Sequence, residues 1–141
     1  MLKVFNTTVL TSKQRFLNAL LYGTLVSVVL VTLYIFIQRR LPFEIYYIYF
    51  GFGYVIGMVI QKTGHGVQVK FSILAAVLCF LAIVIGDLFV FFPGFLTYSD
   101  IIPGLLISLL GRYLSLDYGS IFALGFRVTA ILVAYYHARV V

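Results

Sequence analysis

Long uncharged runs of apolar residues, separated by short polar segments, dominate the chain. Four of these runs predict transmembrane helices, at about 16–37, 43–60, 71–92 and 118–136, because a helix needs roughly 20 residues to cross about 30 Å of hydrocarbon. The first run follows basic residues, as a signal peptide would. It is longer than a signal core and lacks a small-residue cleavage site, so we interpret it as a retained helix.

A shorter apolar stretch, 101–116, lies between the third and fourth predicted spans. As a helix it would extend roughly 24 Å, which is short for a span. The stretch predicts an amphipathic helix in the membrane interface, with a re-entrant segment or a fifth span as the alternative. Small and polar residues recur along it at helical spacing: Gly104, Ser108, Gly111, Arg112 and Ser115.

The composition agrees with this pattern, since 63% of the residues are hydrophobic and 10% are charged. A soluble domain has about 25% charged residues, so a water-soluble globule and a disordered chain are both excluded. The predicted fold class is an all-α membrane protein, a four-helix transmembrane bundle with a short interfacial helix before the last span. Residues 1–141 are expected to form one integral membrane domain, with no separate soluble unit.

The basic residues predict the orientation of the chain. Lys and Arg total 10 against 4 acids, and such residues concentrate on the cytoplasmic side of membrane proteins. A cytoplasmic N-terminus with four spans puts six basic residues inside and three outside: Lys3, Lys13, Arg15, Lys62, Lys70 and Arg139 against Arg39, Arg40 and Arg112. Both termini are therefore expected in the cytoplasm of a multipass protein of the cell membrane. Membrane lipids are the expected partners, and nucleic acid is not, because no basic run is longer than Arg39-Arg40.

Two charged residues lie inside predicted spans, Asp87 in the third and Arg127 in the fourth. Such groups are costly in hydrocarbon and rarely face lipid. Counted from the outer ends of their spans, they differ in depth by roughly 6 Å, which a long arginine side chain can bridge. We expect a structural ion pair, or an arginine held by backbone carbonyls. The alternative is that both residues line a polar pathway or a ligand-binding pocket.

Three glycines in the second predicted span, Gly51, Gly53 and Gly57, indicate close helix packing. Gly53 and Gly57 form a small-xxx-small pair, which allows another backbone to approach. The contact is expected within one chain, with a protein partner or a homo-oligomer as the alternative.

Tyrosines cluster at the start of the same span and are expected at the headgroup level: Tyr46, Tyr47 and Tyr49.

Catalytic chemistry has little support in the sequence. Motifs such as HExxH, GxSxG or a P-loop do not occur, so no catalytic residue is assigned. Cys79 is the only cysteine and the two histidines are far apart in sequence, so we expect no metal site and no cofactor. A polar ring on the outer side could hold a lipid headgroup or a divalent ion, although ordinary loop and cap residues explain the same set more simply: Arg39, Arg40, Glu44, Asp100, Arg112 and Asp117.

The glycine-rich segment 48–57, the turn and helix start at 64–71 and the Gly86-Asp87 pair resemble small uncharacterised bacterial multipass membrane proteins with a glycine-rich second helix. The closing segment 130–139 is similar to the end of their last helix. The resemblance covers about half of the chain and implies a bacterial inner-membrane location and a helical fold. It implies no activity.

Three classes of function fit these patterns. The favoured interpretation is a non-enzymatic integral membrane scaffold or accessory subunit that binds protein or lipid partners. The second is a small oligomeric transporter or channel that uses Asp87 and Arg127. It ranks lower because the first two spans offer few polar residues to line a path. The third is a membrane enzyme acting on lipid, which would need the outer polar ring to be catalytic.

Overall fold

The computed structural model describes residues 10–65, 68–97 and 99–139. These ranges contain five α-helices and no strand, and two short 3-10 turns connect the third helix to the fourth. The helices are α1 (Ser12–Arg40), α2 (Tyr47–Gly64), α3 (Val69–Phe91), α4 (Ile102–Tyr113) and α5 (Tyr118–His137). Among the described helices, α1, α3 and α5 are long and apolar enough to cross a membrane. The predicted all-helical fold is confirmed for these ranges, and the three long apolar helices support a membrane protein.

Helix α1 begins earlier than predicted because a capping box fixes its start. The Gln14 backbone N–H donates to the Thr11 hydroxyl, and the Thr11 N–H donates to the Gln14 side-chain oxygen. These two bonds satisfy donors that a helix start would otherwise leave free. Arg39 and Arg40 occupy the last turn, where positive charge is favourable next to the negative end of the helix dipole.

Helix α2 begins at Tyr47 and ends at Gly64, whereas the predicted span was 43–60. The predicted end at residue 60 is too early, because Gln61 to Gly64 remain helical. Two bonds hold this last turn: the Gln61 amide donates to the Arg139 carbonyl at 3.0 Å, and the Thr63 hydroxyl donates to the Val59 carbonyl. The helix stops at His65, which adopts the left-handed conformation and donates its N–H to the Gln61 carbonyl.

Helix α4 is shorter than the predicted 101–116, since it ends at Tyr113. Proline in its first turn is compatible with the helix start, where no intrahelical N–H bond is lost. Leu109 is its buried residue, while Gly104, Ser108 and Gly111 are exposed. Leu109 therefore contacts the rest of the protein, whereas Leu106, Ile107 and Leu110 are exposed like these three residues.

Helices α2, α3 and α5 pack against one another, and α1 packs against α2 and α3. The contact between α2 and α5 is the most extensive. Each helix presents an inward face at spacings of three or four residues. On α5 this face is mostly small, which lets α2 approach closely: Ala123, Arg127, Ala130 and Ala134. The α1 face is Ala19, Gly23, Ser27, Val31, Tyr34 and Gln38.

The close approach of α2 to α5 occurs at two of the three predicted glycines. A Cβ on Gly53 would lie 2.0 Å from the Ala130 carbonyl oxygen, and a Cβ on Gly57 would lie 3.1 Å from the Ala134 oxygen. Gly51 takes no part in this contact, because a Cβ there meets no described atom within 4 Å. The expectation that Gly51 packs against a helix of the same chain is therefore wrong.

Large apolar side chains cover the outside of the helices as well as the inside. On α1, Leu17, Leu21, Leu25 and Val28 follow one another at helical spacing and are each more than half exposed. A helix with apolar residues on all sides suits an environment without water. The outer surface is therefore suited to lipid.

Candidate functional site

Asp87 of α3 is fully buried and lies at the meeting point of all five helices. Its Oδ1 accepts from the hydroxyls of Tyr34 of α1 at 2.9 Å and Tyr49 of α2 at 2.8 Å. Its Oδ2 accepts from the Tyr113 hydroxyl of α4 and from Nε of Arg127 of α5, the latter at 2.9 Å. An ionised carboxylate has about four acceptor positions, so Asp87 is saturated. We refer to these five residues as the Asp87 cluster.

The Arg127 guanidinium is held on several sides. Besides its bond to Asp87, its Nη2 donates to the Tyr49 hydroxyl at 2.9 Å. Its Cζ lies 4.7 Å from the Tyr49 ring centre and 4.3 Å from the Tyr113 ring centre, within the range of cation–π attraction. The charge of Arg127 is therefore balanced by a carboxylate and by two aromatic faces.

Tyr34 and Tyr49 contact each other as well as Asp87. The Tyr34 and Tyr49 hydroxyl oxygens are 2.8 Å apart, and each also lies within hydrogen-bond distance of Asp87. Two hydroxyl protons serve three short contacts, so one contact lacks a proton in any single arrangement. With both hydroxyls donating to Asp87, the contact between the two tyrosine oxygens is the one without a proton, and the Tyr49 oxygen accepts from Arg127.

Tyr113 closes the cluster from α4, outside the three helices that are long enough to span. Burial raises the pKa of the Tyr113 phenol above its ordinary value, and the negative charge of Asp87 raises it further. The hydroxyl therefore keeps its proton and acts as a donor to Asp87. This bond ties the short helix α4 to the interior of the packed helices.

Gly86 makes room for the Tyr34 ring beside Asp87. A Cβ on Gly86 would lie 2.9 Å from Cδ1 of Tyr34, closer than side chains pack. The Tyr34 ring also meets Phe52 edge-on, with ring centres 5.7 Å apart. Gly86 thus leaves space for the Tyr34 ring, and the adjacent Asp87 accepts from the Tyr34 hydroxyl.

The structure brings Asp87 and Arg127 into direct contact, at the separation that an ion pair requires. Sequence reasoning missed the three tyrosines around them. It expected Tyr49 at the headgroup level, whereas the structure shows a residue that is only 2% exposed and whose hydroxyl donates to Asp87. No sequence signal separates Tyr34 and Tyr113 from the other tyrosines, because packing decides which hydroxyls turn toward Asp87.

A polar pocket of about 210 Å³ adjoins the cluster at the end of the helices where α3 stops and α5 begins. Arg127 and Tyr113 of the cluster line it, together with Glu44, Arg112 and Asp117. Arg112 contacts Glu44 at 3.4 Å, an exposed ion pair that contributes little to stability. Its guanidinium also lies 4.1 Å from the ring centre of Phe91.

The six residues of the predicted outer polar ring do not form one ring. Glu44, Arg112 and Asp117 meet at the polar pocket. Arg39 lines a separate groove of about 780 Å³ between α1 and α3, while Arg40 lies over the Phe36 ring. Asp100 is exposed and does not line the polar pocket. Half of the expected ring therefore surrounds the pocket.

Within the described ranges, no group of three or more His, Cys, Asp or Glu side chains is placed to hold a metal ion. The four polar contacts of Asp87 are all hydrogen-bond donors.

Fold and site together define an all-helical membrane protein with a buried charge cluster. Comparisons of the chain with protein families, with curated proteins and with solved structures find no match.

Proposed function

We propose that this chain is a non-enzymatic integral membrane protein, a scaffold or accessory subunit that binds lipid or protein partners in a bacterial membrane. The observation that carries the proposal is the saturation of Asp87 by four donors from the other helices. A buried charge whose contacts are all made within the protein holds helices together. The bacterial location rests on the resemblance of the glycine-rich helix.

The charge content of the helices supports a structural role over a transport path. The chain has four acids, and the other three lie outside the helices, at Glu44, Asp100 and Asp117. Asp87 is thus the single acid available inside a span, and Arg127 already neutralises it. A relay across a membrane needs polar groups at successive depths, which one saturated pair does not supply.

The proposed architecture is a bundle of four spans, with α2 as the fourth. Helix α2 has 18 residues, about 27 Å of helix, and it packs against the three helices that are long enough to span. Helix α4 has 12 residues, about 18 Å, and suits the membrane interface. With this arrangement the basic residues favour cytoplasmic termini.

Reconstitution tests the proposal against transport. Full-length protein is incorporated into vesicles, and proton, sodium, potassium and chloride flux is measured with ion-sensitive dyes. We expect flux equal to that of protein-free vesicles, because the charged pair offers no continuous path. Flux that requires the protein and is lost in a folded Asp87→Asn variant would overturn the proposal.

A small transporter or channel is the second candidate, and one observation favours it. The polar pocket extends from the end of the helices to Arg127, so one member of the buried pair is accessible from that side. A pathway would require a matching opening from the other end of the helices to Asp87. The flux measurement decides between the two candidates.

A further inference from the structure

The polar pocket contains an acid that no other side chain neutralises. Among the described residues, the Asp117 side chain makes no hydrogen bond and no ion pair, although the residue caps the start of α5. An aspartate at the N-cap commonly accepts a hydrogen bond from a backbone N–H of the first turn. The Asp117 side chain makes no such bond. Its carboxylate is therefore free to accept from a ligand in the pocket.

The same pocket contains an unused donor on a buried side chain. Arg127 donates through Nε and Nη2, while its Nη1 has no hydrogen-bond partner among the described residues. The side chain is only 7% exposed, and it lines the pocket. A nearly buried guanidinium that lines a cavity and keeps an unused N–H favours an oxygen acceptor of a ligand, most strongly a charged one.

The two groups are well separated along α5. Asp117 and Arg127 are ten residues apart, about 15 Å along the helix axis. The Arg127 side chain covers part of this distance, because helix side chains lean toward the N-terminus. A single small ion cannot reach both groups. A ligand with a positive and a negative charge held apart can.

We propose that the polar pocket binds the headgroup of an ethanolamine phospholipid, with the ammonium at Asp117 and the phosphate toward Arg127. This inference rests on the proposed lipid-binding function and names the lipid. Arg112 pairs with Glu44, and Arg127 pairs with Asp87 behind the pocket wall. The lining therefore offers one unpaired carboxylate, on Asp117, and one unused N–H donor, on Arg127, a combination that suits a zwitterion better than an anion. The pocket lies where α3 ends and α5 begins, which is the headgroup level if both helices span.

Lipid preference tests the proposal. Purified full-length protein in detergent is titrated with short-chain phosphatidylethanolamine, phosphatidylcholine or phosphatidylglycerol, and affinity is derived from the rise in Tm. We expect about tenfold tighter binding of phosphatidylethanolamine, because choline cannot donate to Asp117 and glycerol carries no charge. Asp117→Asn should abolish this preference. Asn is also a good helix cap, so the variant should fold.

Asp100→Asn is the matched control, since Asp100 is exposed at the same end and outside the pocket. It should keep the full preference. Equal affinities for the three lipids, or a preference that survives Asp117→Asn, would overturn the proposal. Tightest binding of phosphatidylglycerol would make the pocket an anion site instead. Soluble phosphoethanolamine binding as tightly as the lipid would identify a free solute as the ligand and overturn the lipid assignment. Flux remains a separate readout, so failure here leaves the scaffold proposal to its own test.

Discussion

At the scale of single residues, the acid inside α3 is stable because every lone pair of its carboxylate has a donor. Tyr34 and Tyr49 serve one oxygen, and Tyr113 and Arg127 serve the other. An unpaired charge in an apolar interior costs several kcal/mol, whereas a charge with good geometry and full hydrogen bonding is tolerated. The three tyrosine hydroxyls therefore stabilise the Asp87 carboxylate together with Arg127.

Tyr34→Phe tests this role with little change in volume. The ring packing remains, but Asp87 Oδ1 retains only the Tyr49 donor. We expect a loss of about 1.5 kcal/mol in the free energy of unfolding, the range for a hydrogen bond to a charged group. Unfolding by SDS in mixed micelles measures it.

Tyr22→Phe is the matched control, because Tyr22 lies on the same helix and is 55% exposed. Its effect should stay within about 0.5 kcal/mol. If the two variants unfold alike, the Tyr34 hydroxyl contributes nothing to the cluster.

Sequence alone could single out Asp87 and Arg127, since charges inside apolar runs are rare and must be paired. It could not single out their partners. The chain has 11 tyrosines, and tyrosine is also common at membrane interfaces, so each one fits two environments. Which hydroxyl turns inward depends on the rotation of each helix, and this is decided by packing.

At the scale of elements, the contact between α2 and α5 depends on Gly53. Its backbone lies against the Ala130 carbonyl, with no room for a Cβ. We expect Gly53→Ala to destabilise the protein by about 1–3 kcal/mol, as overpacking does in other tight interiors. The free energy of unfolding in detergent provides the measurement.

Gly51→Ala is the control on the same helix, where a Cβ meets open space. Alanine favours a helix over glycine by up to about 1 kcal/mol, so this variant should be neutral or slightly more stable. Opposite signs for the two variants support the contact. A neutral Gly53→Ala would show that α2 and α5 separate at no cost.

The ends of α2 show where sequence prediction of elements fails. Hydropathy located an apolar helix, but the structure shifts it toward the C-terminus, to Gly64. The polar residues Gln61 and Thr63 continue the helix because their side chains find backbone carbonyls, one of them on Arg139. Such partners are distant in sequence, so the apolar pattern cannot reveal them.

At the scale of the whole molecule, hydropathy determines the fold class. A mean hydropathy of +1.13 over 141 residues leaves an all-helical membrane protein as the consistent class, and the helices agree. The polar pocket could not be predicted, because Glu44, Arg112 and Asp117 come from three separate segments. Their meeting depends on how α4 returns to the end of α3, which charge counting does not specify.

We expect the ion pair of Asp87 and Arg127 to hold the helices together. A double-mutant cycle tests it most directly, with Asp87→Asn, Arg127→Met and the double variant compared in the free energy of unfolding. Each single change leaves a buried partner uncompensated, at a cost of several kcal/mol. The double variant removes both charges, so we expect it to be more stable than the worse single variant. Strictly additive losses would contradict the claim, because the two residues would then act independently despite their contact.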